Sequence, residues 1–177
     1  RNVSMCKYKP IGFTLFELMV AVLIISILAA VSGPIYKSYV VKSKFAEVFN
    51  TIGQYKADMD ATYLDNDQFP SAFSTVTDST YSAITSNVLQ LLYYGRSTDL
   101  QSAYLFFYTL DLGVDGYVQA ASNGSGGTHC RVTFAAIPTT TGNMQFYCGQ
   151  WDGSSIDVPL TYLPQSCQDT NISALIS

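Results

Sequence analysis

Glu17 is the one charged residue between Phe13 and Ser32, in an apolar run close to the ~20 residues a helix needs to cross a bilayer. A carboxylate in such surroundings costs roughly 2.5–3.5 kcal/mol on insertion scales, so it calls for a counter-charge. Gly12 immediately precedes Phe13, and the acid follows four residues later. A free amine at Phe13 would be as poorly solvated in an apolar medium as the carboxylate. Within one helix the two groups could satisfy each other. Between chains, an amine reaching the Glu17 of another copy would fix axial register, with apolar helix packing supplying most of the cohesion. The plainer alternative is an ordinary signal anchor that tolerates an acid near its interfacial end.

The other reactive side chains offer less. His129 is the only histidine, so a Ser-His-Asp arrangement would depend on it. One histidine with scattered cysteines fits no zinc spacing. Asp58, Asp60, Asp65 and Asp67 lack the glycine and terminal glutamate of an EF-hand loop and read as a solvated helix end. Gly124-Ser125-Gly126-Gly127 is too short and misplaced for a phosphate loop. No catalytic residue, metal site or cofactor is expected, and the chain does not read as an enzyme. Asn123-Gly124-Ser125 and Asn171-Ile172-Ser173 match the acceptor pattern for N-glycosylation, a weak signal in a bacterial-type protein. Of the four cysteines, Cys6 falls early, which leaves Cys130, Cys148 and Cys167 downstream with connectivity open on sequence alone.

The elements around these residues follow from pattern. Residues 1–12 read as a short basic leader, with Met5 a plausible true start, and residues 13–33 as a transmembrane or fibre-core helix. Cleavage after the apolar run, at Leu28-Ala29-Ala30, is a weaker alternative. Gly33-Pro34 predicts a kink, because proline removes a donor and clashes with the preceding turn. Residues 34–177 form the head, which includes the second half of the helix. There Tyr36, Tyr39, Val40, Phe45, Val48, Phe49, Ile52, Tyr55, Met59 and Tyr63 recur three or four apart, an apolar stripe that packs on a core. Asp65 to Pro70 supplies turn chemistry to end the helix. Ile84, Val88, Leu91 and Leu92 suggest a short helix over residues 81–94. Strands are expected over 104–110, 117–121, 129–136 and 144–148, rich in aromatic and β-branched residues and separated by Gly, Asp and Asn turns. The chain bears a formal charge of −4; losing residues 1–12 removes Arg1, Lys7 and Lys9 and leaves six basic against thirteen acidic residues, a net of −7. Such a head disfavours non-specific nucleic-acid binding.

Gly12-Phe13-Thr14-Leu15-Phe16-Glu17-Leu18, continuing through Pro34, Tyr36 and Tyr39, resembles the processing site and helix of the type IV pilins. The resemblance is strong over the first third of the chain and extends beyond it in layout and in the C-terminal cysteines. It implies that prepilin peptidase cuts after Gly12 on the cytoplasmic side of the inner membrane, that Phe13 is N-methylated, and that Glu17 meets the amine of a neighbouring subunit. It implies a C-terminal disulfide loop, Cys148 with Cys167, leaving Cys130 a buried free thiol; a Cys130–Cys148 bridge is the rival. Ser26 stands where many members have glycine. The resulting expectation is an α+β fold: a long N-terminal helix, apolar then amphipathic, on a four-stranded antiparallel sheet with the disulfide loop behind it. The function it implies is that of a type IV pilus subunit, which spans the inner membrane once and then polymerises into an extracellular homo-polymer. The pilus assembly machinery, with its cytoplasmic ATPase, would extend the fibre for adhesion, twitching motility or DNA uptake, with a host surface or DNA as outside partner. A minor pilin or type II secretion pseudopilin, a DNA-binding competence pilin and a membrane-anchored enzyme are the alternatives.

Overall fold

Thr14 opens α1 (Leu15–Asn66), the one α-helix among the described residues, and the residue types behind it dictate two different environments along its length. In the computed structural model, residues 12–73, 76–84, 86–128 and 130–176 are described. Residues 1–11 of the expected leader, with Met5, Cys6, Lys7 and Lys9, lie outside the described residues, as does His129. The chain divides into two compact units, Arg1–Lys37 and Ser38–Ser177.

In the first unit, every described side chain from residue 12 to residue 37 is exposed. Its few polar groups turn back on the helix: Ser26 Oγ donates to the Val22 carbonyl at 2.7 Å and Ser32 Oγ to the Ala29 carbonyl at 3.3 Å. Such local bonds satisfy hydroxyls in an apolar run without outside partners. The helical assignment continues through Gly33 and Pro34.

In the second unit the helix is striped. Val41, Phe45, Val48, Ile52, Met59 and Tyr63 are buried, with Phe49 and Tyr55 packed at the margin. The stripe therefore enters the core through Val41 rather than Val40, and Tyr36 and Tyr39 remain exposed. The reason is phase: 41, 45, 48, 52 and 59 lie on one face at helical spacing, and 36 and 39 lie off it. The helix ends where Asp67 adopts a positive φ of 54° and its N–H donates to the Tyr63 carbonyl at 2.7 Å, a left-handed C-terminal cap.

Two short strands, β1 (Ala72–Phe73) and β2 (Val76–Thr77), pair beyond the helix. The main sheet has five strands: β3 (Thr80–Ala83), β4 (Leu89–Arg96), β5 (Ala103–Thr109), β6 (Arg131–Pro138) and β7 (Met144–Gly149). They run in chain order with every pair antiparallel. This corrects the expected count of four. It also corrects the helix expected over residues 81–94, which is β3 and β4. Leu91 and Leu92 face opposite sides, Leu92 joining the helix-side core and Leu91 an aromatic cluster on the other face. A strand covered on both faces loses its alternation and mimics other periods. The strand expected over 117–121 reduces to one bridge, Val118 with Thr128.

The helix-side core joins the stripe to Leu92, Tyr94, Leu105, Phe107, Val132 and Phe134. The edge-to-face contact of Tyr55 with Phe107 (5.7 Å between centroids) and the stacked pair Phe134–Phe146 (5.3 Å) are part of it. The segment after the helix is pinned by Arg96, whose Nε pairs with Asp78 at 2.7 Å while Nη1 donates to the Phe69 carbonyl at 3.0 Å.

Candidate assembly site

The sequence-derived site residues fall into two groups, one at the start of α1 and one at the C-terminus of the head. At the start, Thr14 and Glu17 close a reciprocal cap. The Thr14 N–H and hydroxyl both donate to Glu17 Oε2, at 3.1 and 2.9 Å, and the Glu17 N–H donates to Thr14 Oγ1 at 3.2 Å. This is the capping box of a helix N-terminus, in which a carboxylate at the third helical position also faces the positive end of the helix dipole. Within this chain Glu17 is thus held by Thr14. Thr14 was the residue missed, although Thr-x-x-Glu ahead of an apolar run is a legible signal.

Gly12 and Phe13 lie just ahead of that cap. Both are exposed, and a Cβ added at Gly12 would meet nothing within 4 Å. The bond between them precedes the first turn of α1. Beyond the cap, Leu15, Phe16, Leu18, Met19, Leu23, Ile25 and Leu28 are among the large exposed apolar side chains. The helix is long and apolar enough to cross a membrane. Pro34 lies well inside it, away from the cap.

At the other end, Cys148 on β7 is bonded to Cys167 across 4.4 Å between Cα atoms. Asp169 stitches the same place: its carboxylate accepts from the Cys148 N–H at 2.9 Å, and its own N–H donates to the Cys148 carbonyl at 3.0 Å. Beyond β7 the bridge closes a segment with two short 3-10 turns, Leu160–Tyr162 and Gln165–Cys167, and a third, Ile172–Leu175, follows it. By constraining the unfolded chain it contributes about 3 kcal/mol. Cys130 is a buried free thiol, and burial pushes its pKa up, so it stays protonated and unreactive. A groove of about 630 Å³ lies between Lys42, Ala46 and Phe49 of the helix and Tyr162 to Ser166 of the disulfide loop.

One buried charge needs separate notice. The Arg131 Nε pairs with Asp157 at 2.6 Å, and its Nη2 reaches Asp152 at 3.0 Å and Ser154 at 3.3 Å. The second Asp157 oxygen accepts from the N–H groups of Asp152 and Gly153, so the carboxylate is satisfied on both sides. The guanidinium also lies 4.8 Å from the Phe106 ring centroid. This cluster anchors the 152–157 loop to β6, and its groups are already committed to each other.

Residues 11–33 match the prokaryotic N-terminal methylation motif. The chain is similar to fimbrial protein EcpB of Eikenella corrodens, at 25% identity over 161 residues, 90% of this chain and 98% of that protein. It is similar to fimbrial protein EcpC of the same organism, at 42% identity over 67 residues, 38% of this chain and 44% of that one. It is similar also to the type IV major fimbrial protein FimA of Dichelobacter nodosus, at 39% identity over 62 residues, 35% of this chain and 40% of that one. The matches to EcpC and FimA thus span less than half of those relatives' own length. Motif and relatives together support a type IV pilin.

Proposed function

We propose that this chain is the structural subunit of a type IV pilus, built by packing the apolar first half of α1 against the same element of other copies. The observation that carries the reading is the exposure of that whole run, with a single acid at its head, in a chain whose core is otherwise closed. Apolar surface of this extent in contact with water is unfavourable by about 25 cal/mol for each Å². It calls for lipid first and for neighbouring helices afterwards.

In this reading prepilin peptidase cuts between Gly12 and Phe13, and the new amine is methylated, which keeps its positive charge. The subunit waits in the inner membrane until the assembly machinery, driven by its cytoplasmic ATPase, extracts it. The amine at Phe13 of an incoming subunit then pairs with the Glu17 of one already in place. The ion pair sets register, and apolar contact supplies cohesion. The resulting filament would serve adhesion, twitching motility or DNA uptake, with a host surface or DNA as its outside partner.

Glu17→Ala tests the pairing. The variant should be trimmed at Phe13 as the parent is, shown by intact mass, and should fail to accumulate in sheared filaments. Because the same change also opens the cap at Thr14, Glu17→Gln is the companion: it keeps a hydrogen-bonding side chain for the cap and removes the charge. Filaments of parental abundance from both variants would end the proposal.

A further inference from the structure

The sheet face away from the helix carries a row of aromatic rings that the assembly reading does not use. Tyr81 and Tyr93 lie 4.8 Å apart between centroids, Tyr93 and Tyr104 6.2 Å, and Tyr104 and Trp151 4.6 Å. Tyr81, at the end of the row, is the most open of these, 39% exposed. Its ring lies flush against Gly124, where an added Cβ would overlap it.

Gly124 is the middle residue of Asn123-Gly124-Ser125, one of two N-x-S acceptor patterns in the chain. Asn123 is exposed, and its Oδ1 accepts from the Ser125 hydroxyl at 2.6 Å and from the Ser125 N–H at 3.1 Å. The carboxamide oxygen is thereby committed to the serine two positions on, leaving the nitrogen as the reacting atom. Within the loop the Ala121 N–H donates to the Ser125 carbonyl at 2.9 Å and the Gly124 N–H to the Ala121 carbonyl at 2.8 Å, with Gly124 buried against the Tyr81 ring.

The second pattern, Asn171-Ile172-Ser173, shows the same hydroxyl bond at 2.8 Å. Its surroundings differ. Ile172 is fully buried, and the N–H groups of Ile172 and Ser173 donate to the carbonyls of Gln150 and Trp151. Reaching Asn171 means peeling the C-terminus off the residues that follow β7.

We propose that Asn123 is an N-glycosylation site whose first sugar lies against the open face of Tyr81. The co-reactant is an oligosaccharide carried on a polyprenyl pyrophosphate, delivered by a transferase on the outer side of the membrane. Asn123 Nδ2 forms a bond to the sugar's C1 and loses one amide proton. The C1–oxygen bond to the pyrophosphate breaks, and the lipid pyrophosphate leaves with the electron pair. The apolar face of a pyranose can cover the exposed part of the Tyr81 ring. The proposal rests on the head lying outside the cytoplasm, as the pilus reading has it.

The test is peptide mapping by mass spectrometry on the full chain taken from the envelope of the cells that make it. The peptide with Asn123 should carry a glycan mass that disappears in Asn123→Gln and Ser125→Ala, returns in Ser125→Thr, and is unaffected by Asn171→Gln. In the glycosylated chain, sugar proton resonances shifted upfield by the Tyr81 ring should return to their solution positions in Tyr81→Ala. A mass that persists in Asn123→Gln, which would place it on a hydroxyl, overturns the proposal. So does an unmodified Asn123 with the Cys148–Cys167 bond intact, and that outcome leaves the pilus reading untouched. An unmodified Asn123 with both thiols free overturns the location of the head as well.

Discussion

Two apolar stretches of one helix meet opposite fates. From residue 13 to residue 37 every described side chain is exposed; from Val41 to Tyr63 one stripe, Val41, Phe45, Val48, Ile52, Met59 and Tyr63, is buried. The helix-forming backbone is the same in both, so the difference lies in distribution. The second stretch confines its apolar residues to one face and gives the rest to Lys42, Glu47, Lys56, Asp58 and Asp60, a pattern one sheet can cover. The first is apolar all round. No single neighbour covers such a cylinder, so it needs lipid or a ring of other helices. The contrast separates what stabilises the subunit from what drives its association.

That separation can be broken by mutation in the head. Phe107→Ala, at a fully buried ring beside Tyr55, should cost about 4 kcal/mol in unfolding free energy. Chemical denaturation of the detergent-solubilised chain measures it, while membrane insertion should be unchanged; a simultaneous loss of insertion would show that the two regions are not separate. Asp157→Asn should cost about 3 kcal/mol, because it leaves the buried Arg131 without its nearest counter-charge. A smaller loss would mean that Asp152 suffices. Cys167→Ser should lower stability by about 3 kcal/mol, and its midpoint should match that of the reduced parent. Gly53→Ala should act in the opposite direction. The glycine is exposed inside α1, and a Cβ there meets nothing within 4 Å. A gain of about 1 kcal/mol is expected, read as a higher melting temperature, and a loss would show that the fold needs a glycine at Gly53.

Much of this was legible because it rested on local rules. The apolar run, the acid at its head, the stripe and the turn that ends the helix follow from spacing and from single residue types. Three of the four expected strands stand, as β5, β6 and β7, because their aromatic and β-branched runs were bounded by turn residues. The C-terminal bridge was legible by likeness to a family rather than by physics, since cysteine spacing does not fix pairing. What escaped depended on contacts across the fold. Leu89 to Arg96 reads ambiguously because both its faces are covered, one by the helix and the other by rings. Val40 and Val41 are adjacent, and only the packed helix decides which turns inward. Thr14 is a different case: Glu17 carries both a charge that calls for a partner and a capping role, and only the second involves Thr14.

Gly95 sits within β4, directly beside Tyr104 on the neighbouring strand, and a Cβ there would overlap that ring. The ring fits only because the opposite residue has no side chain, so the two positions cannot drift independently. Across related chains, a larger residue at the first should appear only where the second has already lost its aromatic group, a joint substitution that comparative sequencing would expose.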